Sequence, residues 1–150
     1  MKRFVGLILF FIAVTAHAQI EGAVTGNHWV GTWATAQQPV VRSFMPYNNN
    51  MSGRSVRQIV KVSIGGKQLR LELSNELSRE PLIIRSVYIA HATDSCGIEP
   101  SSAKYLKFNG NYNTVIPAGK SRFSDALTFD LQPLERLAIT INYDKAPRIP

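Results

Sequence analysis

The chain has 150 residues, 45% of them hydrophobic and 18% charged, with a formal charge of +7. That length suits one domain, and the apolar content excludes a wholly disordered chain, because enough surface can be buried to offset the ordering entropy. The basic balance permits anionic partners without requiring them.

Residues 1–18 read as an export signal. Lys2 and Arg3 form a positive start, Phe4 to Thr15 an apolar run, and Ala16-His17-Ala18 a small-x-small cleavage site. The apolar run is shorter than the ~20 residues a spanning helix needs. The chain is therefore expected in the periplasm or outside the cell, with no membrane attachment after cleavage; Gln19, not a cysteine, follows the site. Residues 19–27 read as a short leader. Cys96 is the single cysteine, so no internal disulfide can form and stability must come from a packed core. It lies in Asp94-Ser95-Cys96-Gly97, which reads as a turn.

Beyond the leader the apolar period is two. His28 to Thr35 reads as an aromatic-rich strand carrying Trp29 and Trp33. Pro39 to Gly53 reads as a long surface loop. Val60, Val62 and Ile64 alternate with polar residues, as do Leu69, Leu71 and Leu73, and Gly65-Gly66 between the two runs predicts a β-hairpin. Such a hairpin would pair Val62 with Leu69 and set Lys61 opposite Arg70. Leu82 to Ala92 reads as a long strand. Lys104 to Phe108 and Tyr112 to Ile116 flank Asn109-Gly110-Asn111 as a second hairpin. Ala126 to Leu131 and Arg136 to Asn142 complete seven or eight strands. The expected fold is all-β, an antiparallel β-sandwich or jelly roll over residues 28–143, with 144–150 the start of a linker.

The chemistry-bearing residues do not fall into a catalytic pattern. His28 and His91 are the histidines beyond the signal, and neither has metal-ligand spacing. His91 reads as an edge or core histidine and His28 as solvated. No G-x-S-x-G elbow or glycine-rich phosphate loop is present, and Asp125 and Asp130 are poorly placed for a carboxylate pair. Asn50-Met51-Ser52 matches a glycosylation sequon, a weak signal alone. No catalytic residue, metal site or cofactor is expected. The scattered bases Arg54, Arg57, Lys61, Lys67 and Arg70 read as a solvated strand face, and nucleic acid is not an expected partner.

Several blocks occur in a telling order: Trp29-Val30-Gly31-Thr32-Trp33-Ala34-Thr35-Ala36, Val56-Arg57-Gln58-Ile59-Val60, Ser63-Ile64-Gly65-Gly66 and Leu69-Arg70-Leu71-Glu72-Leu73-Ser74-Asn75-Glu76. Pro81-Leu82-Ile83-Ile84, Leu106-Lys107-Phe108-Asn109-Gly110, Ile116-Pro117-Ala118-Gly119 and Ser124-Asp125 follow. Together they resemble the N-terminal β-rich domain that precedes the catalytic domain in a group of secreted SGNH (GDSL-type) esterases, over residues 28–143. The resemblance implies an accessory module whose catalytic half lies beyond Pro150. The Gly-Asp-Ser, Gly-x-Asn-Asp and Asp-x-x-His blocks of that family do not occur here.

A ligand-facing role is open for four residues. Trp29 and Trp33, on one face of the expected strand with Gly31 between them, could stack on a sugar ring, although core packing is the commoner role for such rings. Arg57 and Asn75 are candidates for a ligand or domain interface; a charged strand face and a turn cap account for them equally. The alternative function is a free-standing extracytoplasmic carbohydrate-binding β-sandwich whose partner is a polysaccharide or acylated glycan.

Overall fold

The structure is a computed structural model that describes residues 28–39, 43 and 50–148. The export signal, the leader and most of the 39–53 loop lie outside the described residues. Nine strands are present among the described residues: β1 (Ser55–Lys61), β2 (Gly66–Leu69), β3 (Glu72–Ser74), β4 (Leu82–His91), β5 (Lys104–Tyr105), β6 (Thr114–Ile116), β7 (Ser121–Phe123), β8 (Leu127–Leu131) and β9 (Arg136–Lys145). Every pairing is antiparallel. A 3-10 turn covers Pro100–Ser102. The fold class is all-β, as the period-two pattern requires.

The main sheet is built on β9 and β4, which are long because they are the most apolar runs. β9 pairs with β1 from Ser55↔Asn142 to Lys61↔Arg136, and with β4 from Ile83↔Lys145 to His91↔Leu137. The far edge of β4 is shared: Leu82 to Ile84 pair with β6, and Tyr88 and Ile89 with β5. Irregularities beside Ile84 re-phase β4, so that Ile84, Val87 and Ile89 all face inward although their spacing is not strictly even. Two short ladders, β2–β8 and β3–β7, supply the rest. Phe129 and Leu131 of β8 join Val60, Val62, Leu137 and Ile139 with Leu106, Phe108 and Ile116 in one core. Each such side chain contributes roughly 1.5–3 kcal/mol on burial, which is why the fold dispenses with a disulfide.

Four local expectations are revised. The Gly65-Gly66 hairpin does not form: Val62 donates its N–H to the Glu135 carbonyl (2.9 Å), still beside β9, whereas Gly66 pairs with Leu131. The chain changes sheet at this point, and Gly65 is required because a β-carbon there would collide with the Leu131 carbonyl. Lys61 consequently faces Arg136 rather than Arg70. Asn109-Gly110 does make a tight turn, with φ of 52° and 81° and Phe108 N–H to Asn111 O at 2.7 Å. Its arms diverge at once, because β5 and β6 bond to separate stretches of β4. His28 to Thr35 joins no ladder among the described residues, and the chain bends at Thr32. Finally, β9 runs to Lys145 and Ala146 is buried, so the packed structure continues past residue 143.

Candidate functional site

The Trp29–Trp33 segment is fastened to the domain by Thr32 rather than by a ladder. Ser63 donates its N–H to the Thr32 carbonyl (3.0 Å). The Thr32 hydroxyl donates to the Ile64 carbonyl (2.7 Å) and accepts from the Ile64 N–H (3.0 Å). The rings on either side stay exposed: Trp29 at 46% and Trp33 at 40%, so neither is a core residue. Gly31 faces open space. The Arg70 guanidinium lies 4.9 Å from the Trp29 ring and 5.3 Å from that of Phe123, a cation held between two aromatics. Trp29, Val30, Ile64, Gln68, Arg70 and Leu131 border an open groove of about 600 Å³. It offers the Trp29 ring, aliphatic side chains, the cations of Lys67 and Arg70, and main-chain groups, a surface suited to binding.

Arg57 stands at the other side of the main sheet. Its register partner is Thr140, whose partner on β4 is Tyr88, whose partner on β5 is Tyr105; the four residues form one row across the sheet. Arg57 donates through Nε to the Thr140 hydroxyl (2.9 Å), through one terminal nitrogen to Tyr88 Oη (2.7 Å) and through the other to the Cys96 carbonyl (2.8 Å). The hydrogen bond with Thr140 and then the Arg57 cation hold the Tyr88 phenol below its ordinary value of 10.0, against the opposing effect of partial burial. The Cys96 loop is a true turn, closed by Asp94 accepting from the Cys96 N–H (2.8 Å) and the Gly97 N–H. Those two donors keep the Asp94 carboxyl below its ordinary value. Cys96 itself is exposed.

Asn75 is buried, and its side-chain amide nitrogen donates to the carbonyls of Glu80 (2.8 Å), Ile116 (3.1 Å) and Pro117 (3.2 Å). With both amide hydrogens committed to main-chain acceptors, it clamps two chain segments, and the turn-cap reading describes its place. Ser124 and Asp125 do comparable work. The Ser124 hydroxyl accepts the Leu71 N–H (3.0 Å), while the Asp125 carboxylate accepts the N–H groups of Asn109 (2.9 Å) and Gly110 (2.8 Å).

His91 is half-buried, with Nδ1 against the Glu135 carboxylate and its ring 4.7 Å from that of Phe129. The nearby Ser102 hydroxyl is committed to the main chain, accepting from the His91 N–H (2.9 Å) and donating to the Glu99 carbonyl (2.7 Å). No serine–imidazole hydrogen bond is found among the described residues, nor a cluster of three metal-ligating side chains. Asp130 pairs with Lys67 (2.9 Å) and Asp125 serves its turn, so they do not form a carboxylate pair.

The groups missed in the sequence are Arg70 as an aromatic-held cation, with Phe123, and a tyrosine row. Tyr88 lies 5.5 Å from Tyr105, and Tyr105 5.8 Å from Tyr112, between ring centroids. The Asn109-Gly110 turn did carry one usable signal, since it brings Lys107 and Tyr112 together; the Lys107 ammonium is 5.3 Å from that ring. The remaining neighbours come from different strands and required the register. No protein-family model matches this chain, and no curated protein matches it in sequence.

Proposed function

We propose that this chain is an exported accessory module of an SGNH-type carboxylic-ester hydrolase, a sandwich of jelly-roll type that packs against or steers substrate to a catalytic domain beyond Pro150. One observation carries the reading: blocks that bear the resemblance are joined to one another by hydrogen bonds across long sequence separations. Thr32 of the tryptophan block holds Ser63 and Ile64 of the glycine block. Asn75 holds Ile116 and Pro117, and its carbonyl accepts the Gly119 N–H (3.0 Å). Ser124 and Asp125 hold Leu71, Asn109 and Gly110. Residues so coupled form an interdependent set of joints, which gives a physical reason for the blocks to travel together as a module. The exposed Trp29, Val30 and Trp33 then supply the apolar surface for the neighbouring domain.

The reading frame downstream of codon 150 tests this. Continuation into a Gly-Asp-Ser block is the expected result, with no ester hydrolysis by the present chain alone. A stop codon at that point, or turnover by this chain abolished by one substitution, would overturn it.

A further inference from the structure

We propose that the row Arg57–Tyr88–Tyr105–Tyr112–Lys107 is a binding platform for an anionic polysaccharide, of the uronate-bearing class. This site is distinct from the Trp29 groove and does not rest on the esterase reading.

Three features place it. The first is continuity. Tyr88 and Tyr105 are direct cross-strand partners, and Tyr112 is brought alongside by the Asn109-Gly110 turn, so three rings from three chain segments form one surface. The second is exposure: Tyr105 and Tyr112 are 54% and 53% exposed, although the core beneath them is well packed. Large rings left in water on a rigid sheet are poor for stability and good for contact, because few rotatable bonds are lost when a ligand covers them. The rings are tilted by 56° and 73° to one another and so present successive facets rather than one flat plane, which fits a twisted single chain.

The third feature is charge, and it selects the ligand. Arg57 closes one end of the row, with its guanidinium 6.0 Å from the Tyr88 ring, and Lys107 the other. Lys104, next to Tyr105, faces the other side of β5, where it donates to the Thr128 carbonyl (3.0 Å) and lies 5.9 Å from the Phe129 ring, so it does not join the row. Arg57 uses three donor nitrogens internally, which holds its cation in a fixed position beside the rings. The neighbouring carboxylates are both committed to main-chain N–H groups, Asp125 to those of Asn109 and Gly110 and Asp94, in the loop that Arg57 bonds, to those of Cys96 and Gly97. Sugar rings stacking on the tyrosines would thus meet cations at both ends, an arrangement that complements carboxylates along a glycan and gives a neutral chain no comparable partner.

Electrophoresis of the purified chain through gels containing polygalacturonate tests this, with a neutral hydroxyethyl cellulose gel alongside. Retardation by the uronate polymer only is expected. Tyr105→Ala with Tyr112→Ala should weaken binding about tenfold or more, equivalent to about 1.4 kcal/mol, since together the two rings supply most of the exposed stacking surface. Both rings are exposed, so thermal melting should show the double variant folded; Lys107→Glu, a surface change, gives a second reading and should weaken binding and its salt dependence. Equal retardation by both polymers would overturn the anionic class. No retardation, unchanged binding by the variants, or preference for an acidic protein over the polymer would overturn the site.

Discussion

The carbonyl oxygen of Leu131 occupies the space that a side chain on Gly65 would need, and this contact fixes where the chain leaves the main sheet for the β2–β8 ladder. Gly65→Ala must push two backbones apart and is expected to cost about 3 kcal/mol, in the range of overpacked sites. At Gly66 the nearest atom to an added β-carbon is 3.6 Å away, so Gly66→Ala should cost well under about 1 kcal/mol. Urea midpoints of the two variants check this; equal midpoints would show that the crossing is not tight.

Asn75 makes a second joint by hydrogen bonding alone. Asn75→Ala leaves the Glu80, Ile116 and Pro117 carbonyls without their donor and should cost about 2 kcal/mol. Asn75→Asp should cost more, because a carboxylate would be buried facing carbonyl oxygens. Chemical denaturation of both variants decides; an aspartate variant as stable as wild type would mean the amide does not donate as described.

The expected class was legible because alternation from Val60 to Ile141 names inward residues: Val60, Val62, Phe129, Leu131, Leu137 and Ile139 are in the core, Leu69, Leu71, Leu73, Leu127 and Ile141 pack partly buried against it, and Ile64 is exposed. Partners were not legible. Gly65-Gly66 carries a hairpin signature, yet no positive φ is found there, and the glycines serve a close crossing whose other half is Leu131, far along the chain. The same limit hid the tyrosine row, since Tyr88, Tyr105 and Tyr112 meet only through register and a turn. At Trp29 and Trp33 the residue types suggested a strand and left a ligand-facing and a core role both open; the rings are exposed, and the polar Thr32 between them, not a ladder, makes the attachment.

That placement of Trp29 has a direct consequence. Trp29→Ala should lower stability by no more than about 1.5 kcal/mol, against about 3–5 kcal/mol for Phe129→Ala in the core. In a Trp33→Phe background, Arg70→Ala should shift Trp29 emission to the red, because the guanidinium that covers the ring is gone. Unchanged emission would show that the cation does not sit on that face in solution.

Tyr143 and Tyr88 give the molecule opposite responses to alkali. Burial raises the Tyr143 phenol above its ordinary 10.0, so the folded chain keeps a proton that the unfolded chain releases. Its contribution is complete below the unfolded value and is lost as pH rises through the folded one. Tyr88, held below 10.0 by Thr140 and Arg57, ionises first in the folded chain and opposes that loss over the same window. Between about pH 8 and about pH 11, Tyr143→Phe should therefore flatten the fall in stability, and Tyr88→Phe should steepen it. Denaturation midpoints at the two pH values, with phenolate absorbance followed in parallel, measure both slopes. Slopes that change in the same direction would mean that the Arg57–Thr140–Tyr88 network does not favour the phenolate.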